Sequence, residues 1–163
     1  TIMKKQYASV KSEFQGIRRK LDMLRNELTY LIEKDAQSFD AVMLASKKPK
    51  YSEHEIKVRN AAIEEATKIA ASVPVEVMEK TIEVMELLPD VAEKGNVNSV
   101  SDAGVANLVA KSALEGAALN VRINLGGIKD KNFVDDLRKR LTNLLNQGTE
   151  LYEKTKSIVE SKL

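Results

Sequence analysis

The sequence predicts an all-α fold, an antiparallel bundle of about five long helices. Apolar residues recur at intervals of three and four along most of the chain, which is the period of an amphipathic helix. No segment alternates apolar and polar residues as a half-buried strand does. Only three Pro and seven Gly interrupt 163 residues. Because this length suits one domain with one core, we expect residues 1–163 to form a single helical unit.

Composition narrows the classes of function. The 26 basic and 24 acidic residues are mixed along the chain and leave a net charge of +2, so nucleic acid is not expected as a partner. With no Cys, and with His54 as the only His, the chain offers neither disulfides nor a His-based zinc site. No apolar run reaches the length of a membrane span, and the first residues lack a signal-peptide apolar region. We expect a cytoplasmic protein without membrane contact and without a metal.

The first predicted helix extends from about Ala8 to Ser46. Asp35 projects onto the middle of its apolar stripe, whereas Asp40 projects well off it. Burial would raise the pKa of Asp35 unless a cation lies near it. Asp35 is therefore a group that exchanges protons near neutral pH, or half of a structural ion pair with Arg59 as a candidate partner, or a side chain that escapes burial at an end of the bundle. The stripe consists of Val10, Phe14, Ile17, Leu21, Leu24, Leu28, Leu31, Ile32, Phe39 and Val42.

A loop follows this helix, and Pro49 is its helix breaker. Ser52, with Glu55 three residues later, has the spacing of a capping box for the next helix. The loop carries a cluster of cations that is either a solvated turn or a binding point for an anionic tail. The cluster consists of Lys47, Lys48 and Lys50.

Two further helices are predicted on either side of Pro74. The second runs from about Glu53 to Ser72 and carries Arg59 on its apolar face, where a guanidinium needs an anion. The third begins at Pro74, since Pro suits the first turn of a helix, and runs to about Lys94. Pro89 is expected to kink it or to end its regular part.

The fourth predicted helix lies between Asn96 and Asp130 and has a face of small residues with polar ends. Ser101 is its expected N-cap, with Asp102 in the first turn, and Gly126-Gly127 is expected to end it with positive φ angles. Small side chains let another helix or a flat ligand approach the backbone, and the polar residues need partners once covered. The face consists of Asp102, Ala106, Val109, Ala113, Gly116, Asn120 and Asn124.

The polar residues of this face can also have purely structural roles. The helix dipole alone favours an acid such as Asp102 in a first turn. Asn120 and Asn124 can satisfy the backbone or each other. Asp102 and Asn120 are 18 residues apart, about 27 Å along a straight helix. They therefore cannot serve one site within one subunit.

A last helix is predicted from an Asp130 cap to about Ser161. Its apolar residues alternate by three and four and form a heptad seam suited to packing against another helix. The seam consists of Val134, Leu137, Leu141, Leu144, Gly148, Leu151, Thr155 and Ile158.

Three stretches of the chain resemble the cyclodeaminase/cyclohydrolase family of folate enzymes. They are TIMKKQY at residues 1–7, EKDAQSFDAVMLASKKPK at residues 33–50, and the segment from Gly95 to Asp130. The resemblance extends to about Arg140. The family includes the cyclodeaminase half of formiminotransferase-cyclodeaminase and stand-alone methenyltetrahydrofolate cyclohydrolases, and it implies a helical bundle that forms homodimers.

The resemblance implies chemistry at the N5–N10 bridge of a tetrahydrofolate derivative, which would be the substrate. We expect a methenyltetrahydrofolate cyclohydrolase; the alternatives are a formiminotetrahydrofolate cyclodeaminase, which closes the ring with loss of ammonia, and a non-catalytic helical interaction module. Asp35 and Asp102 are the expected catalytic residues. The expected substrate-binding residues are Asp40, Lys47, Lys50, Arg59, Ser101, Asn120 and Asn124.

Two departures from the family pattern stand out. Family members carry a Pro-Gly-Gly-Gly-Ser segment and a helix upstream of the Thr-Ile-x-Lys-Lys-x-Tyr match, and this chain starts at that match. We therefore expect the domain to lack an upstream Gly-rich segment and first helix. Lys48 also replaces a residue that is more usually apolar.

Overall fold

The described residues form a bundle of four long helices. A computed structural model describes residues 5–163, and no strand occurs among them. Residues 1–4, which begin the predicted domain and the Thr-Ile-x-Lys-Lys-x-Tyr match, lie outside the described residues. The prediction of an all-α fold is confirmed, and the prediction of five helices is wrong. The helices are α1 (Lys11–Ser46), α2 (Glu53–Lys94), α3 (Val100–Leu125) and α4 (Lys131–Glu160), with 3₁₀ segments at Lys5–Val10 and Val97–Ser99.

The count falls to four because α2 runs without interruption through Pro74 and Pro89. A Pro inside a helix lacks the N–H that would bond the carbonyl four residues earlier. For Pro74 that carbonyl belongs to Ala70, and the Asn124 Nδ2 of α3 donates to it at 3.1 Å. A tertiary contact thus supplies the hydrogen bond that the local sequence cannot, and the helix continues.

The long helix α2 is the central element of the bundle. It packs against α1, α3 and α4, and α3 also packs against α4. The core lies where these helices meet, around Met78 and Met85 of α2, Leu114 of α3 and Leu137 of α4, all fully buried. This packing leaves α1 and α3 as the two walls of a groove whose floor is α2.

Ion pairs fix the register of α1 along α2. The α1 members are seven residues apart and alternate in sign, so a shift of α1 by one heptad would bring like charges together. The Glu27 Oε2 lies 2.8 Å from the Lys80 Nζ, and the Lys34 Nζ lies 2.6 Å from the Glu76 Oε1. The ladder consists of the pairs Glu13–Lys94, Lys20–Glu83, Glu27–Lys80 and Lys34–Glu76.

Two predicted helix starts are confirmed. The Ser52 hydroxyl accepts a hydrogen bond from the Glu55 N–H, and the Glu55 carboxylate accepts one from the Ser52 N–H, which makes the capping box. The Asp130 carboxylate accepts from the Phe133 N–H at 3.2 Å and caps α4.

The fourth helix ends at Gly126 as predicted, but the predicted N-cap and the positive φ angles expected at its end are wrong. Ser101 lies inside α3 rather than at its N-cap, because the chain enters α3 through a 3₁₀ turn that the Asn96 side chain caps. Asp102 does lie in the first turn. In the described residues no Gly has a positive φ, and Gly126 ends α3 at φ −63°.

The heptad seam of α4 faces the core of its own chain. Val134, Leu137, Leu141 and Thr155 are buried there. Gly148 lets α3 come close, since a Cβ at this position would overlap the Leu114 side chain. No helix within residues 5–163 is long and apolar enough to cross a membrane.

Candidate active site

Asp35 and Asn120 lie in one groove, which we call the Asp35 groove. Its floor is α2 at Pro74 and Val77, and its walls are α1 and the small face of α3 at Gly116. The volume of the groove is about 340 Å³. Because α3 presents small side chains here, the wall leaves room for a flat ligand between a carboxylate and a carboxamide.

Asp35 is exposed, so the prediction that it is buried is wrong. Its apolar neighbours Ile32 and Phe39 are also exposed, at 71% and 62%. The buried positions of α1 lie on the side that faces α2 and are seven residues apart: Leu24, Leu31, Ser38 and Ala45. The wide apolar stripe of the sequence therefore covers two faces, one in the core and one open, and Asp35 belongs to the open face.

Arg59 does not pair with Asp35. Its Nε donates to the Ser46 carbonyl at 3.0 Å, so the guanidinium serves the C-terminal end of α1, where carbonyls lack helical donors. Across residues 5–163 no ion pair involves the Asp35 carboxylate. The interpretation of Asp35 as half of a structural ion pair is wrong, and its carboxylate is available to a ligand.

Asn120 and Asn124 have different surroundings in the structure. Asn120 is exposed and lines the Asp35 groove, whereas Asn124 is half-buried and donates to the Ala70 carbonyl that Pro74 leaves without a donor. The structural interpretation of Asn124 is therefore favoured over substrate binding. Because Pro74 was predicted to start a helix, this contact was not predicted.

The predicted lysines lie at the end of α1. Lys47 and Lys48 line a second groove between α1 and α2, of about 490 Å³, whose other lining residues are Leu44 and four alanines. Lys50 is exposed in the following loop, and Asp40 is exposed on α1. Lys47 lies 12 residues beyond Asp35, about 18 Å along the helix. A long anionic ligand in the Asp35 groove can reach these cations.

Ser101 and Asp102 lie at the far end of α3, and both are exposed. Eighteen residues make five turns of helix, so Asp102 and Asn120 point to the same side of α3. They are too far apart for one ligand, as the sequence predicted. In the described part of the chain, no group of three His, Cys, Asp or Glu side chains is arranged to hold a metal ion.

The structure thus defines an all-α domain with an open groove lined by Asp35 and Asn120 and with lysines just beyond the end of α1. The comparison with protein families identifies which one. The family model described as formiminotransferase-cyclodeaminase matches residues 1–143. The chain belongs to this family, and the resemblance seen in its sequence is confirmed.

Two relatives and one solved structure place the chain within the family. It is 42% identical over 163 residues to a methenyltetrahydrofolate cyclohydrolase of Methylorubrum extorquens, covering 100% of this chain and 78% of the relative. It is 33% identical over 122 residues to a formimidoyltransferase-cyclodeaminase of Rattus norvegicus, covering 75% of this chain and 23% of that protein. The crystal structure of a formiminotetrahydrofolate cyclodeaminase from Thermotoga maritima matches with a TM-score of 0.85 and 31% identity, over 97% of this chain and 75% of that one.

Proposed function

We propose that the chain is a methenyltetrahydrofolate cyclohydrolase that uses the Asp35 groove. The observation that carries the proposal is the 42% identity, along the whole chain, to a relative of that name. The groove supports it, because a carboxylate and a carboxamide that are both open to solvent can act on a bound ligand. An interaction module would have no need of this pair.

The reaction requires protons to move at the carbon between N5 and N10. Water attacks the methenyl carbon and gives a tetrahedral intermediate, and Asp35 accepts the proton that the water loses. Asp35 then returns a proton to N5 as the C–N5 bond breaks, and the hydroxyl on the carbon loses its proton as the formyl group forms on N10. A carboxylate that first accepts and then donates a proton is a general base and then a general acid.

Asn120 and the predicted lysines bind the substrate in this proposal, whereas Arg59 and Asn124 keep their structural contacts. Asn120 faces Asp35 across the groove, where its amide can hydrogen-bond the ring system. Lys47 and Lys50 attract the anionic glutamate tail, with Lys48 in the same cluster. Asp40 lies between Asp35 and these lysines on α1.

The proposal includes a homodimer whose site is shared between subunits. The exposed face of α3 carries Val105, Leu108, Val109, Leu119 and Ile123. An antiparallel pairing of two α3 helices about a twofold axis would cover these side chains and bring Asp102 and Ser101 of one copy beside Asn120 of the other. This pairing lets Asp102, the second expected catalytic residue, reach the Asp35 groove. Cytoplasm is the proposed compartment, and neither nucleic acid nor a membrane is a proposed partner.

A formiminotetrahydrofolate cyclodeaminase is the second candidate, supported by the match of the fold to the Thermotoga maritima enzyme at a TM-score of 0.85. In that reaction N10 attacks the formimino carbon, and Asp35 would protonate the nitrogen that leaves as ammonia. The same groove and the same acid serve both reactions, so the residues of the Asp35 groove do not distinguish the two activities.

Two assays on the same preparation test the proposal. The near-ultraviolet absorbance of a methenyl-folate should decline faster with the protein than without it, with 10-formyl-tetrahydrofolate as the product. Ammonia release from the formimino substrate is measured in parallel. Ammonia release without methenyl hydrolysis would support the cyclodeaminase and contradict the cyclohydrolase. Turnover of neither substrate would favour the interaction module.

A further inference from the structure

One hydrogen bond joins the floor helix of the Asp35 groove to its α3 wall. The Asn124 Nδ2 of α3 donates to the Ala70 carbonyl of α2 at 3.1 Å. Asn124 lies one helical turn after Asn120, which lines the wall, and Ala70 lies one turn before Pro74, which lines the floor. The bond therefore links the two helices one turn beyond the groove, where neither partner lines it.

The Asn124–Ala70 bond constrains α3 in a way that apolar contacts do not. Further along the helices, α2 and α3 meet through buried apolar side chains such as Met78 and Leu114. Apolar burial is non-directional, so it constrains the position of one helix along the other less sharply. A hydrogen bond has a preferred length and angle. The bond at Ala70 therefore fixes the register of α3 on α2 near the groove.

The proposed chemistry requires Asp35 and Asn120 to be fixed relative to each other. The ion-pair ladder holds α1 on α2, and its Lys34–Glu76 pair uses the residue just before Asp35. The Asn124 amide holds α3 on the same helix. A misplacement of about 1 Å in a catalytic site can cost roughly a hundredfold in rate. Both walls of the groove are thus anchored to α2, each by its own polar contact.

We propose that Asn124 is a positioning residue for the reaction in the Asp35 groove. It acts through Asn120: the bond to Ala70 places the Asn120 amide opposite Asp35, and the Asn120 amide contacts the substrate. This role rests on the proposed folate function and adds to it a residue that does not touch the substrate. A purely structural residue would only supply the hydrogen bond that Pro74 denies to Ala70.

The test is a double-mutant cycle of Asn124→Ala and Asn120→Ala, with kcat and KM measured for a methenyl-folate. In the otherwise wild-type chain, Asn124→Ala should lower kcat/KM roughly ten- to a hundredfold. In the Asn120→Ala background it should change kcat/KM by less than about twofold, because the residue through which it acts is already missing. The urea midpoint should fall in both backgrounds, since the buried Ala70 carbonyl loses its donor in each.

A Pro74→Ala background separates positioning from the satisfaction of a carbonyl. Residue 74 then has an N–H for Ala70, so the fall of the urea midpoint caused by Asn124→Ala should shrink. The loss of kcat/KM should remain, because α3 is still not linked to α2. Recovery of kcat/KM in this background would show that the continuity of α2 is all that Asn124 provides, and would overturn the proposal.

A core substitution on α4 controls for lost stability alone. Val134→Ala removes buried methyl groups away from the groove and should keep the wild-type kcat/KM at a temperature where circular dichroism shows it folded. A folded Asn124→Ala protein with wild-type kcat/KM, or an equal loss in the Asn120→Ala background, would overturn the positioning role and leave the proposed function intact. A wild-type chain that acts on neither folate would overturn both.

Discussion

Asp35 is the residue on which the proposed chemistry depends. Because it is exposed and forms no ion pair within the described residues, Asp35→Asn should change the free energy of unfolding by less than about 0.5 kcal/mol. Loss of a proton-transferring group should lower kcat by roughly 10² to 10⁴. Glu33→Gln, an exposed carboxylate on another face of α1, is the matched control. An Asp35→Asn protein that keeps wild-type activity would remove Asp35 from the mechanism.

The sequence pattern singled out Asp35 for a reason that was partly wrong. Its position among Ile32 and Phe39 did mark Asp35 as unusual. However, periodicity shows only that side chains share a face of a helix, and it cannot show whether that face meets the core or stays open. The same limit applies to Arg59, which was expected to face an anion and instead donates a hydrogen bond to a neutral backbone carbonyl at a helix end.

The continuity of α2 depends on a contact between helices. If Asn124 substitutes for the N–H that Pro74 lacks, Asn124→Ala leaves the buried Ala70 carbonyl without a donor and should cost about 1 to 3 kcal/mol. In a Pro74→Ala background, residue 74 again has an N–H for Ala70, so the same substitution should cost less. Urea unfolding of the four proteins of this double-mutant cycle measures the difference. Equal costs in both backgrounds would show that the two residues are independent.

The ladder between α1 and α2 predicts a pH dependence of stability. Hydrogen bonds from Lys20 and Lys80 hold the pKa of Glu83 below its usual range, and Glu27 and Glu83 hold the pKa of Lys80 above its usual range. A lowered carboxylate pKa stabilises the fold above the unfolded-state pKa, and this stabilisation is lost as the pH falls through the folded-state pKa. The Lys80 contribution is lost only in strongly alkaline solution.

Glu83→Gln should therefore destabilise the protein at pH 7, and the difference from wild type should shrink as the pH falls below the usual range of a glutamate. Glu150→Gln is the control, since this exposed residue of α4 lies outside the ladder. Thermal unfolding at several pH values checks the trend. A difference that is the same in acid and at neutral pH would show that the charge of Glu83 is not what stabilises the contact.

Two helix starts were predicted correctly from neighbouring residues alone. The capping box at Ser52 and the cap at Asp130 need only a few neighbouring residues, and both are present. The predicted break at Pro74 is wrong because the Asn124 amide of α3 replaces the missing hydrogen bond there. The predicted cap at Ser101 is wrong because a 3₁₀ turn precedes α3. The Asn124 contact joins residues 54 positions apart and has no local signal, whereas the Asn96 cap of the 3₁₀ turn is a local signal that the prediction of a cap at Ser101 overlooked.

Helix α3 presents a broad apolar surface to solvent. Leu119 and Ile123 are 63% and 77% exposed, and burial of side chains of this size is what a stable dimer interface provides. If the proposed pairing is correct, the wild-type chain should be a dimer at micromolar concentration by light scattering, and Leu119→Glu should shift it to monomer with loss of activity. Val58→Glu, on the first half of α2, is the control. A wild-type monomer that is fully active would contradict the shared site.

The all-α fold class predicted from the sequence is confirmed, and the distance between Asp102 and Asn120 predicts that a site containing both residues needs two subunits. The heptad seam of α4 was predicted to pack against another helix, and the structure places it against the core of its own chain. A heptad pattern identifies an interface between helices without telling whether the partner helix is in the same subunit.

The most direct test of the account mixes two inactive proteins and measures hydrolysis of a methenyl-folate. Asp35→Asn and Asp102→Asn subunits are prepared separately, unfolded, mixed in equal amounts and refolded, beside each variant refolded alone. If each site combines Asp35 of one subunit with Asp102 of the other, half of the dimers are mixed and each holds one intact site. The mixture should then recover about a quarter of the wild-type activity, as the symmetry of a dimer requires. A mixture no more active than the separate variants would contradict a folate site shared between the Asp35 groove and the start of α3.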